Sequence, residues 1–228
     1  MQPAAHLGRW ELKNILGAVY GSAARHGRRL SWHERLTSVF RPLYAPFGAL
    51  LQWVPPKARV LDVGCGSGAF LFLANEVKGL GSSFGIDSNA KSIALAQATC
   101  NSPNLKFVVG VEVRPEVLQS SSVVALIDVL HHVPEDEKQS FLRRLLQGMS
   151  NGTLVLVKDL DPEPAWKALA NRITDYLSTR SIVSYLSRQQ VEGILLEEDF
   201  EILSSARLDD MIWSHFLVVG KKRGTAPR

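Results

Sequence analysis

The sequence predicts an α/β fold: a doubly wound, mostly parallel sheet of seven strands, the last one antiparallel, with helices on both faces and a helical lid in front. Three observations predict it. From residue 59 onward, short β-branched runs alternate with helical patterns, the order of a parallel sheet with crossover helices. An apolar run leads directly into three alternating glycines, Gly64, Gly66 and Gly68, and a helical pattern follows. The last two strand-like runs are joined by a short link, so they should pair antiparallel.

Taken in order, strands are expected at 59–63, 83–86, 106–109, 123–127, 153–158, 201–207 and 212–219. A helix at 68–78 is stopped by Gly79 and Gly81, and a second, with Ser88 as its cap, runs to Cys100. Pro134 opens a third, whose first turn holds Glu135, Asp136 and Glu137, as the helix dipole favours. Gly148 closes it, and Asn151-Gly152 turns the chain into the fifth strand. In 164–186, Trp166, Leu169, Ile173, Tyr176 and Leu177 fall at helical spacing. Ser187 and Gln190 form a capping-box pattern for a helix to about residue 197. Before the sheet, residues 1–56 read as helices broken by glycine and proline, ending at Pro55-Pro56. The expected organisation is a helical extension or lid at 1–56 and the α/β domain at 57–228.

Composition sets the outer bounds. With 228 residues, 46% apolar and 21% charged, the chain is globular rather than disordered or fibrous. A net charge of +4 is compatible with nucleic acid, an anionic membrane surface or an acidic small molecule. Cys65 and Cys100 are too few for a disulfide framework or a four-ligand zinc site, which fits a reducing, cytoplasmic setting. No run approaches the roughly 18 apolar residues of a membrane span. The richest stretch, 39–54, is interrupted by Arg41, Pro42, Pro46 and Gln52. The first 35 residues carry Arg9, Arg25, Arg28, Arg29 and Arg35 against Glu11 and Glu34. This imbalance is the sole support for a transit segment, and there is no apolar core for a secretory signal.

The glycine loop carries the chemistry. Glycine lets the backbone turn sharply and approach a ligand that a β-carbon would exclude. The spacing is G-x-G-x-G, with Asp62 two residues before the first glycine. The dinucleotide fingerprint is G-x-G-x-x-G and holds a pyrophosphate, which a carboxylate beside the loop would repel. A cationic ligand suits Asp62 better. The second strand then ends in Asp87, where a ribose diol would sit.

On these residues, the stretch 60–70 resembles motif I of the class I S-adenosylmethionine-dependent methyltransferases, and the resemblance extends over about residues 57–220. It implies a Rossmann-like fold and S-adenosylmethionine as cofactor. Gly64, Gly66 and Gly68 would line the methionine moiety, with Cys65 as a small filler in the loop. Asp62 would face the cofactor amine through neighbouring groups. Asp87, with Ser88 beside it, would hold the ribose hydroxyls. Members often carry Gly-Asp after the third strand, whereas here Gly110 is followed by Val111 and Glu112. Either Glu112 or a backbone group would read the adenine.

The fourth strand runs into Asp128-Val129-Leu130-His131-His132-Val133-Pro134, which resembles motif IV of the small-molecule members. Asp128 would face the cofactor, and His131 or His132 could take a proton from the acceptor, while one of them packs on the sheet or caps the next helix. The Asp/Asn-Pro-Pro-aromatic motif of nucleic-acid amino methyltransferases and the Pro-Cys of cytosine C5 enzymes are both absent. Asp128, Asp159 and Asp161 resemble in part the magnesium cluster of catechol-type methyltransferases. Leu160 stands where an asparagine would be, so substrate-facing carboxylates without a metal are expected.

The N-terminal block carries Arg25, Arg28, Arg29, Trp32, Arg35, Phe40, Arg41, Tyr44 and Phe47. Such residues can stack bases, but a lid over the substrate pocket is the favoured reading. The chain loosely resembles small bacterial methyltransferases of lipid or polyketide-like products, implying a role in small-molecule biosynthesis. The expected function is direct displacement of the sulfonium methyl onto an oxygen or nitrogen of a small, partly apolar molecule, lipid-like or carrier-bound among the options. An RNA-modifying enzyme and a cofactor-binding, non-catalytic subunit are the alternatives, nucleic acid being disfavoured as a partner. The oligomeric state is open.

Overall fold

A computed structural model describes residues 47–161, 185–209 and 214–224. The helix expected at 164–186 falls almost wholly outside these, as does the arginine-rich block up to residue 46. Along the chain come α1 (Phe47–Leu51), β1 (Val60–Val63), α2 (Ala69–Lys78), β2 (Ser83–Asp87), α3 (Ala90–Thr99), β3 (Leu105–Val109) and α4 (Pro115–Ser120). They are followed by β4 (Val123–Ile127), a 3-10 turn (Leu130–His132), α5 (Glu135–Gln147), β5 (Leu154–Leu160), α6 (Arg188–Glu197), β6 (Phe200–Asp209) and β7 (Ser214–Lys222).

The seven strands form one sheet in the order β3-β2-β1-β4-β5-β7-β6. The pairs β1–β2, β1–β4, β2–β3 and β4–β5 are parallel, and β7 is antiparallel to both β5 and β6. Strand alternation divides the core in two. Val123, Ala125 and Ile127 of β4 pack on one face with α1, α2 and α3, through residues such as Leu50, Leu71 and Ile93. Val124 and Leu126 pack on the other with α4, α5 and α6, through Leu118, Leu142 and Val191. Every residue of β4 is buried, as a central parallel strand requires. The seven strands and the antiparallel close of the sheet are those the sequence predicts.

Local chemistry explains most element ends. Gly79 takes a left-handed conformation and returns its N–H to Asn75, ending α2. Ser187 and Gln190 form the reciprocal capping box at the start of α6. One cap differs from expectation. Asn89, not Ser88, caps α3, its side-chain oxygen accepting from the N–H groups of Lys91 and Ser92. Ser88 is exposed. Helix α4 was not expected; it has six residues and one buried side chain, Leu118, so it shows no periodicity to read. Strand β5 runs two residues further than expected, because β7 pairs Phe216 with Asp159 and His215 with Leu160. Within residues 1–56, Phe47, Leu50, Leu51 and Val54 are buried in the same cluster as Val60 and Phe70.

The capping box predicts a specific cost. Ser187→Ala should lower the unfolding free energy by about 1 kcal/mol, and Ser187→Gly by a few tenths. Urea denaturation measures both, and an alanine variant as stable as the parent would show that α6 is held by packing alone.

Candidate functional site

The site lies at the carboxyl ends of β1, β2, β4 and β5, where ligands bind in open α/β sheets. After β1 the chain reverses through residues 64–68. The N–H groups of Gly64 and Cys65 both donate to the Ile86 carbonyl, at 2.8 and 3.1 Å. Gly64, Gly66 and Gly68 have φ values of 76°, 54° and 83°, a region L side chains seldom enter. Space is equally restrictive. A β-carbon on Gly64 would collide with the Val129 side chain, and one on Gly68 would lie 2.7 Å from the Phe107 ring. Gly85 of β2 leaves room for the Cys65 sulfur, which would sit 2.7 Å from a β-carbon there. Cys65 thus fills the space under the loop. Burial, then Asp62 and Asp87, push its thiol far up, so it stays protonated.

Asp87 ties two loops together. Its Oδ2 accepts from the Gly66 N–H and its Oδ1 from the Asn89 N–H, both at 2.8 Å. Each oxygen keeps acceptor capacity for a further donor. Asp62 is buried on β1, and a cleft is lined by Asp62, Gly64, Cys65, Ser67, Ala69, Phe70, Phe47, Ile127 and Asp128. One wall is polar backbone and carboxylate, the other aromatic and aliphatic. Glu112 is exposed beyond the end of β3. Of the residues singled out in the sequence, Asp62, Gly64, Cys65 and Asp128 line this cleft, Gly66 and Gly68 shape the loop beside it, and Asp87 anchors that loop. Ser88 and Glu112 are outside its lining.

A second polar group adjoins Asp128. This residue has φ 57°, unusual for a side chain other than glycine and costing on the order of 1–3 kcal/mol. Its N–H donates to the Lys158 carbonyl at 2.9 Å, and its Oδ1 accepts from Lys158 Nζ at 2.6 Å. Lys158 is 1% exposed. Burial pushes the Asp128 carboxyl up, but the charge and hydrogen bond of Lys158, with His215 and His131, outweigh it and hold the carboxyl below its usual value.

His131 is buried, and its Nδ1 lies 2.5 Å from Asp159 Oδ1. A carboxylate can only accept, so Nδ1 carries the proton and Nε2 is the basic nitrogen. The Asp159 carboxylate is fixed in turn by the backbone N–H groups of Leu160 (2.7 Å) and His131 (3.2 Å). His132 is exposed, its ring 4.0 Å from that of His131 between centroids. Asp128, His131 and Asp159 bring their donor atoms within 4.8 Å of one another, and the ammonium of Lys158 supplies positive charge at this group. Asp161 turns elsewhere, to Arg207 Nε at 3.2 Å.

Sequence reasoning missed Lys158, Lys138 and His215, all buried beside this group. A lysine directly after the apolar run 154–157 was the available signal for Lys158. Phe47, assigned by the sequence to the lid, lines the cleft, and so do Phe70 and Ile127.

A family model described as a methyltransferase domain (Methyltransf_23) matches residues 32–205, well over half of the chain. The chain belongs to this methyltransferase family. It has the class I S-adenosylmethionine-dependent fold, and S-adenosylmethionine is its cofactor. Among curated proteins it is similar to a carboxy-S-adenosyl-L-methionine synthase of Shewanella amazonensis, 23% identical over 69% of this chain. That match spans 64% of the relative's length, just under two thirds. The namesake enzyme of Shewanella baltica is 20% identical over 87% of this chain and 90% of its own. Among solved structures, the magnesium protoporphyrin IX methyltransferase of Synechocystis PCC 6803 with bound SAH superposes with a TM-score of 0.65 at 14% identity. That superposition covers 92% of this chain and 97% of the other.

The cleft of this methyltransferase fits the cofactor. It has a backbone cradle that β-carbons would fill, carboxylates whose charge suits a cationic amine and sulfonium, and a carboxylate with capacity for hydroxyl donors. No helix among the described residues is long and apolar enough to cross a membrane.

The depressed Asp128 carboxyl makes a pH prediction. A group whose folded pKa is lowered adds stability above its unfolded value, about 3.9, and that contribution is lost as pH falls through the folded value. Asp128→Asn should therefore flatten the acid limb of stability against pH below about 4. Denaturation at stepped pH measures this, and an acid limb as steep as the parent's would exclude Asp128 from it.

Proposed function

We propose that this protein transfers a methyl group from S-adenosylmethionine to an oxygen or nitrogen of a small, partly apolar molecule, with His131 as the base. The observation that carries the reading is the buried His131–Asp159 pair standing beside Asp128, which itself lines the cleft.

The roles proposed for the chain's own residues follow from their places. Gly64, Gly66 and Gly68 give backbone access to the methionine part of the cofactor, and Asp62 and Asp128 face its cationic end. Asp87 takes the ribose hydroxyls with its remaining lone pairs, with Ser88 at its edge. Glu112 or a neighbouring backbone group meets the adenine. When bound, the cofactor supplies an activated sulfonium methyl, so the protein's work is alignment and proton removal. Asp159 holds Nδ1 and orients the ring, and Nε2 takes the acceptor's proton as the new bond forms. A base of this kind suits an acceptor that must lose a proton, a hydroxyl or an N–H, and is superfluous for a carboxylate. Phe47, Phe70 and Ile127 favour an acceptor with an apolar body. The lid proposed for residues 1–56 would complete that wall.

The test is an incubation of the protein with methyl-labelled S-adenosylmethionine and a panel of hydroxylated and amino-bearing aromatic and aliphatic compounds, with bulk RNA as a separate arm. Label should pass to a small acceptor, with S-adenosylhomocysteine as co-product. His131→Gln should lower turnover by roughly a hundredfold or more, and His132→Gln should have little effect. Calorimetry should find S-adenosylhomocysteine affinity unchanged in His131→Gln and at least about tenfold weaker in Asp87→Ala, near 1.4 kcal/mol. Labelling confined to RNA, or mass spectrometry showing a carboxylated cofactor in place of a methylated acceptor, would overturn the assignment. Cofactor binding with no transfer at all would favour a non-catalytic subunit.

A further inference from the structure

The group around His131 contains more carboxylate than one base needs. Asp159 binds Nδ1, yet Asp128 also brings a carboxylate oxygen within 4.8 Å of the same cluster. An imidazole facing two carboxylates, one buried and one half-buried, tends to keep two protons, one for each acid, and an imidazolium cannot accept another. Something must hold Asp128 away from the ring. Lys158 is placed to do so, buried at the end of β5, with its ammonium 2.6 Å from Asp128 Oδ1.

We propose that Lys158 is a positioning residue for the His131–Asp159 pair: by engaging Asp128 it keeps a second carboxylate off the imidazole, so the ring remains available to accept a proton. The backbone supports this geometry. Ile127 and Lys158 are register partners on β4 and β5, and the Asp128 N–H donates to the Lys158 carbonyl. The same residue thus fixes Asp128 by its main chain and by its side chain. A buried ammonium without a partner would be costly, so the pair is mutually dependent.

Among the described residues, other charged and titratable groups also stand around the ring. From β5 comes Asp159, and from β4 Asp128. From α5 come Lys138, whose burial lowers it against the pull of Glu135 and Asp159, and Glu135, 3.6 Å from Lys138. The His132 ring lies tilted against it, Tyr185 approaches it at 6.2 Å between centroids, and His215 acts on Asp128 from β7. Of these groups, Lys158 is the cation hydrogen-bonded to Asp128. Losing it exposes His131 to a second carboxylate that no ammonium engages, which favours the protonated ring.

The inference rests on His131 being the base, but its test does not pass through transfer. The imidazole of His131 is titrated by NMR in the full chain, its signals assigned through His131→Gln. Lys158→Met should raise the proton affinity of His131 about tenfold or more, and Lys158→Arg should keep it within about threefold of the parent. Asp128→Asn, which leaves the ammonium uncompensated, should lower it. The double variant Asp128→Asn/Lys158→Met should return it to within about threefold of the parent, since both charges are gone. The proposal is overturned if Lys158→Met titrates like the parent, or if the double variant stays as high as Lys158→Met alone. Should Lys158→Met fail to fold, the question passes to Asp128→Asn, where an unchanged or raised affinity overturns the proposal. Loss of turnover in His131→Gln is read separately. If that variant remains active while the titrations follow the expected pattern, His131 is not the base but Lys158 still controls its protonation.

Discussion

The two hydrogen bonds accepted by Asp87, from Gly66 and from Asn89, are the interaction on which the cleft depends. One carboxylate joins the loop after β1 to the start of α3, and it does so at the sheet's carboxyl edge. The loop can approach β2 this closely because Gly85 leaves room for Cys65. It can approach the end of β4 because Gly64 leaves room for Val129. Left-handed backbone at three glycines is the conformational consequence. The glycines are therefore required twice over, by the dihedral angles and by the lack of space. The same closeness that excludes side chains brings the main chain of the loop to the wall of the cleft.

A second layer of constraint is electrostatic. Burying Lys158, His131 and Asp159, with Asp128 half-buried beside them, at an apolar sheet edge is unfavourable unless each charge has a partner, and removing one partner costs more than the pair contributes. Each has one here: Lys158 with Asp128, Asp159 with His131 and two backbone N–H groups. Asp128 accepts a left-handed backbone besides. Strain and buried charge concentrated at the ends of β4 and β5 are what a working site shows, whereas the middle of both strands is apolar and regular.

Much of this was legible in the sequence because it is encoded locally. Short β-branched runs and the 3.6-residue pattern marked seven strands and most helices, Gly79 and the Ser187/Gln190 pair marked helix ends, and Asp62 with the three glycines marked the loop. What was illegible depends on contacts between distant residues. The last two residues of β5 are strand because β7 lies beside them. Helix α4 rests on one buried leucine, too little for a periodic signal. Asn89 outcompeted Ser88 as a cap because Asp87 Oδ1 holds the Asn89 N–H and places that side chain over the next turn. The choice between His131 and His132 could not be made from adjacent positions of one motif. It follows from which ring meets Asp159, a residue 28 positions away. The part Lys158 plays depends likewise on its pairing with Asp128, 30 positions away.

The central claim is that the cleft between the glycine loop, Asp87 and Asp128 is where the cofactor binds. A crystal structure of the full chain with S-adenosylhomocysteine tests it most directly. The account predicts ligand density along residues 64–68, with the ribose hydroxyls on Asp87 and the sulfur end towards Asp128. Density for the ligand elsewhere on the molecule, with Asp87 making no contact to it, would contradict the account.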